Sequence, residues 1–146
     1  MSSKPLGIIG VIRFVGWTRL QVYEALYFTD DKVIVARTAT GFHLKWGAIN
    51  AIIGYYTAKQ QEENMESMSV EEVLNSDENS FAIPYSQIEE IELKRFLGAA
   101  KLRLTVNGKK YRWDVRGIPH IKKYKVSDVK SILRPIFEEK LQAPLD

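Results

Sequence analysis

Three features of the sequence predict a mainly β domain with some α content, in which seven short strands surround a core and one helix closes it. Short segments alternate apolar and polar residues, turn dipeptides separate them, and one long amphipathic stretch ends the chain. Strands of this kind cannot leave their apolar faces wet, so they curl around a shared interior with the helix as a lid. An open antiparallel sheet with its helices on one face is the competing arrangement.

The first strand is expected over Ile8–Val15, ended by a Gly16-Trp17-Thr18 turn. "RLQVYEALYFTDDKVIVART" reads as a hairpin, with Ala25–Thr29 and Lys32–Thr38 rich in β-formers around Asp30-Asp31. Strand pattern resumes at "FAIPYSQIEEIELKRF", where Pro84 has no N–H to donate and belongs at a strand end or a sheet edge. A strand from about Ile88 to Phe96 follows, with Glu89, Glu90 and Glu92 beside Ile91 and Leu93. The clearest local signal is "KLRLTVNGKKYRWDV": Leu102, Leu104 and Val106 alternate with Arg103 and Thr105, then Tyr111, Trp113 and Val115 with Arg112 and Asp114. Asn107-Gly108 between them suits a type I′ turn, whose two central residues need positive φ. "SDVKSILRPIFEEKL" closes the chain as a helix capped by Ser127, with Val129, Ile132, Leu133, Ile136, Phe137 and Leu141 on one stripe. Pro135 falls on its polar side, where it bends the helix around a rounded core.

Between the third strand and Phe81 lies an insert of about 42–79. Its first part, "GFHLKWGAINAIIGYYTAKQQ", is apolar for several helical turns. Phe42, Trp46, Ile49, Ile53 and Tyr56 recur at one helical spacing, and Gly47, Ala51, Gly54 and Ala58 form a second stripe of small residues. Small residues let helix backbones approach closely, and a helix apolar on two sides needs two partners. The expectation is one face on its own domain and one on a second subunit, hence a homo-oligomer. The 17 positions from Phe42 to Ala58 include His43, Lys45 and Asn50, short of the roughly 20 apolar residues of a spanning helix. A helix lying in a membrane interface stays open. Further on, Ser69 with Glu72 makes a capping box that predicts a short helix over Val70–Asn75.

Charge is segregated along the 146 residues. Net charge is +4 over 1–59, −10 over 60–93 and +9 over 94–146. Either an acidic arm leaves a basic body free to attract phosphates of lipid or nucleic acid, or the two regions face each other. The chain has no Cys, which excludes disulfides, thiolate metal sites and cysteine nucleophiles. Arg13 cuts short the apolar run near the N-terminus and no cleavage site follows, so a cytoplasmic protein is expected, peripheral at a membrane at most.

The segments "LYFTDDKVIVAR", "FAIPYSQIEEIELKRF" and "LRLTVNG" resemble bacterial and archaeal pleckstrin-homology-like (PH-like) proteins, where a T-D-x-(K/R) hairpin and an I-P-Y-x-x-I strand entry recur. The resemblance spans roughly residues 20–141, with the insert as a departure. It implies one domain over 1–146: a PH-like seven-stranded, two-sheet barrel capped by the C-terminal amphipathic helix, with a helical insert between strands 3 and 4. It also implies a binding rim where the loops after strands 1, 3 and 6 gather opposite the helix. Mapped onto this chain, that rim comprises Trp17 and Arg19, Lys45 and Trp46, and Lys109 and Lys110. Basic residues at an anionic bilayer contribute on the order of 1 kcal/mol each. Arg19, Lys45, Lys109 and Lys110 together give about 4 kcal/mol, roughly millimolar binding. Arg19-Leu20-Gln21 has one basic residue where strongly lipid-binding members have two.

Catalytic machinery has no signature. His43 and His120 lack carboxylates at metal-ligand spacing, and Glu62, Glu63 and Glu66 lack the Gly-containing loop of Ca²⁺ sites, so they read as a solvated helix face. No phosphate loop, nucleophile elbow or triad is present. The expected function is therefore non-enzymatic, with no cofactor and no metal: a protein-interaction or self-assembly module acting through the inserted helix and the rim. Anionic lipid at the rim is the alternative. Nucleic acid ranks below both: Lys101, Arg103, Lys110 and Arg112 share one hairpin face, but Tyr111 and Trp113 point to the other and offer no stacking platform.

Overall fold

The computed structural model describes residues 5–15, 20–40 and 58–144. Its strands are β1 (Gly7–Val15), β2 (Leu20–Phe28), β3 (Lys32–Thr40), β4 (Phe81–Pro84), β5 (Ile88–Phe96), β6 (Ala99–Val106), β7 (Lys109–Gly117) and the two-residue β8 (Leu141–Gln142). The described helices are α1 (58–65), α2 (Val70–Leu74) and α3 (Val126–Phe137). The strands form one sheet in the order β4-β3-β2-β1-β7-β6-β5-β8, antiparallel except where β8 joins β5.

One face of this sheet surrounds a single core. Ile9 and Val11, Leu26 and Phe28, Val33 and Val35, Leu102 and Leu104, and Trp113 and Val115 all reach it, together with Val129, Leu133 and Phe137 of α3. Phe81 of β4 and Tyr111 of β7, four places apart in the sheet order, bring their rings to 5.9 Å. The sheet is therefore strongly curled, as the alternation demands. It is not closed into a barrel: the ladder ends at β4 on one side and at β8 on the other. The expected seven-stranded closed barrel is corrected to an eight-stranded curled sheet, the extra strand arising because Leu141, expected at the end of the helix stripe, instead pairs with Ile91.

The opposite face of β1–β3 is covered as well. Ile8, Ala25, Tyr27, Ile34 and Ala36 pack against Met65 and Val73 of the insert, and Tyr27 Oη donates to the Met68 carbonyl at 3.1 Å. Burial of side chains of this size stabilises by roughly 1.5–3 kcal/mol each. Helices thus lie on both faces of the sheet, which also excludes the one-sided open-sheet arrangement.

Two motifs behind the resemblance form one structural unit. Pro84 ends the edge strand β4 opposite Lys32, and the Tyr85 N–H donates to the Asp31 carbonyl at 3.1 Å. The Tyr85 hydroxyl donates to Thr29 O at 2.6 Å, while its ring meets Phe137 edge-on at 5.3 Å. Burial, with Asp31 and Asp30 nearby, pushes the Tyr85 phenol well above its usual range, so it stays a protonated donor.

Local expectations shift in two places. Strand β2 begins at Leu20 and runs through Glu24, because that carboxylate is paired within the fold. Helix α3 starts at Val126, with the Lys125 N–H donating to Asp128 Oδ2 at 2.7 Å, so Asp128 caps it where Ser127 was expected.

Candidate binding surfaces

Two buried charges organise the described structure. Glu24 is 0% exposed and accepts from Arg13 Nε at 2.9 Å, Arg13 Nη2 at 3.0 Å and Trp113 Nε1 at 3.0 Å. It locks β1, β2 and β7 together on the inner face. On the outer face, Glu62 of α1 pairs with Arg116 of β7, their side chains 2% and 4% exposed. Gly10 makes room for that pair: a Cβ there would stand 2.5 Å from Glu62 Oε1 and 2.6 Å from Arg116 Nη2. Gly10→Ala is expected to cost about 1–3 kcal/mol by overpacking, read as a lowered urea midpoint at unchanged slope.

Glu62 is thus not part of a solvated helix face. Glu66, exposed, stands 3.0 Å from His120 Nε2. The acidic insert and the basic body meet at both of these points. Among the described residues no group of three or more His, Asp or Glu side chains is placed to hold a metal ion.

Of the expected rim, Lys109 and Lys110 are described and exposed. Lys109 Nζ lies 4.8 Å from the centre of the Tyr111 ring. Strand β7 runs antiparallel to β1 with Asp114 opposite Ile12, so the β6–β7 turn and the exposed Phe14 and Val15 at the end of β1 belong to the same end of the sheet. Trp17, Arg19, Lys45 and Trp46 lie outside the described residues, as do Phe42, Gly47, Ile49, Ala51, Ile53, Gly54 and Tyr56 of the expected oligomer contact. Ala58, which ends the small-residue stripe, is fully buried.

The basic outer face of the β6–β7 hairpin is partly neutralised. Arg103 Nη2 reaches Glu92 at 3.1 Å and Glu90 at 3.6 Å, and Lys101 reaches Asp114 at 3.4 Å. Glu90 and Glu92 of β5 thus serve as cross-strand partners of Arg103.

A second surface went unnoticed in the sequence. The β5–β6 connection is a two-residue turn, Leu97 at φ 51° and Gly98 at φ 80°. Its tip exposes 57% of Phe96 and 91% of Leu97. The available signal was Leu-Gly between two strands, a position where a tight turn needs two residues of positive φ.

Comparison with protein-family models, with curated proteins and with solved structures finds no match. No described helix is long and apolar enough to cross a membrane.

Proposed function

We propose that the chain is a non-enzymatic binding module of the PH-like type that self-assembles through its inserted segment. The strand order, with β1–β4 on one side, β5–β7 on the other and α3 against their shared core, supports the PH-like part.

The observation that carries self-assembly is the burial of Ala58, Glu62 and Met65. They recur at helical spacing on the face that α1 turns to its own sheet. Carried back along the sequence, the same spacing groups Gly47, Ala51 and Gly54 in the small-residue stripe that ends at Ala58. Phe42, Trp46, Ile49, Ile53 and Tyr56 fall out of phase, and this larger apolar stripe is the one assigned to a second copy of the chain. Sedimentation at tens of micromolar, a range set by a marginal interface of roughly −6 to −8 kcal/mol, should show a dimer or larger species. Ile49→Glu with Ile53→Glu should return it to monomer with an unchanged far-ultraviolet spectrum. A wild-type monomer under these conditions overturns the proposal.

A further inference from the structure

The β5–β6 tip and the β6–β7 turn share one backbone geometry but differ in chemistry. Leu97-Gly98 has φ of 51° and 80°, and Asn107-Gly108 has φ of 50° and 80°. Asn is the residue such a position favours, because its short polar side chain tolerates the left-handed region, whereas a leucine there is strained. The fold gains nothing from the leucine: its side chain is 91% exposed, and a Cβ at the neighbouring Gly98 would find no atom within 4 Å. The tip is a convex apolar point projecting into open space.

Cations surround it. Lys94 and Arg95 precede the tip and Lys101 follows it, with Lys101 Nζ 5.3 Å from the centre of the Phe96 ring. The segment before α3 reaches the same end of the sheet, because Tyr124 Oη accepts from the Ala100 N–H at 3.4 Å and donates to Val115 O at 2.7 Å. That segment adds exposed Lys122, Lys123 and Lys125 and the exposed Ile121. Lys94 and Lys101 have carboxylate partners in Glu92 and Asp114. Arg95, Lys122, Lys123 and Lys125 have none among the described residues.

We infer that this end of the molecule docks on an anionic membrane surface, with Phe96 and Leu97 entering the headgroup boundary and the surrounding cations facing lipid phosphates and carboxylates. A bilayer satisfies both features together: its apolar interior takes the convex tip and its negative surface potential attracts the basic ring. The site stands apart from the β6–β7 rim and does not depend on self-assembly.

The test is co-sedimentation of the full chain with phosphatidylcholine vesicles, with and without phosphatidylserine. Wild type is expected to bind the anionic vesicles and to be released as salt rises, since exposed charges are screened. Leu97→Asn copies the Asn107 turn, so the thermal midpoint should hold or rise. Vesicle binding should nevertheless weaken about tenfold or more, the scale of one leucine side chain leaving water. Arg95→Glu with Lys123→Glu should remove the preference for phosphatidylserine. Absence of wild-type binding overturns the inference, as does a Leu97→Asn chain that binds as wild type does. Loss of binding only in Lys109→Glu with Lys110→Glu overturns it in favour of the rim. Displacement by soluble glycerophosphoserine or inorganic phosphate at constant ionic strength overturns it in favour of a headgroup pocket, and retention on an acidic protein but not on vesicles overturns it in favour of a protein partner.

Discussion

Glu24→Leu is expected to lower the unfolding free energy by about 3–5 kcal/mol, the scale of breaking a buried ion pair by removing one member. For a chain of this size that corresponds to roughly 10–16 °C in melting midpoint. The carboxylate is fully buried and accepts three hydrogen bonds from two strands other than its own. Its loss leaves the Trp113 indole N–H without an acceptor inside the core, a penalty of about 1–3 kcal/mol by itself. Arg13 loses less, because its side chain is 23% exposed and regains some water. Glu24→Gln separates the contributions. The amide oxygen keeps the bonds from Trp113 Nε1 and Arg13 Nε, but the amide NH2 in place of Oε2 cannot accept from Arg13 Nη2, so the charge and one hydrogen bond go and the cost should fall to about 1–3 kcal/mol. Equal losses in the two variants, measured by denaturant unfolding, would show that the indole bond contributes nothing.

The same residue shows what the sequence could and could not reveal. The Leu102–Val115 hairpin, the Ser69–Glu72 capping box and the edge position of Pro84 are set by interactions within a few residues, and the pattern predicts each of them. The strand expected from Ala25 leaves Glu24 out, and a carboxylate inside an apolar strand is costly unless paired. Its partners are 11 and 89 residues away, and no local pattern points to Trp113. The curl of the sheet is legible from alternation, because apolar faces must meet, but whether the ladder closes depends on which edge strands pair. The candidate rim rests on loop order; of its residues Lys109 and Lys110 are described, exposed at the end of the sheet where β1 finishes. The Phe96–Leu97 tip is not legible in the sequence, because exposure is a tertiary property.

Removing either partner of the Glu62–Arg116 pair should cost about as much as losing Glu24, again about 3–5 kcal/mol, yet with a different distribution over the molecule. Glu24 joins strands of the central sheet. Glu62 joins the insert to it. In Arg116→Met, a buried carboxylate loses its partner, and the least costly escape is for α1 to lift off the sheet and hydrate it. The neighbouring Glu66–His120 contact is exposed and holds little against this, since such surface pairs are worth about 0–1 kcal/mol. Hydrogen exchange should therefore quicken across 58–65 before it does in β6 and β7, the behaviour of a cooperative unit opening on its own. Combining Arg116→Met with Glu62→Leu removes both charges together and fills the space between Gly10 and the helix with apolar atoms. Replacements of that kind are neutral or stabilising by about 1–4 kcal/mol in other buried pairs. The double variant should thus recover most of the lost stability and the protection of 58–65, its loss being far smaller than the sum of the two single losses. If the two single losses simply add, Glu62 and Arg116 act independently, and among the described residues the attachment of the insert rests on its apolar contacts, such as those of Met65 and Val73, and on the Tyr27 hydroxyl.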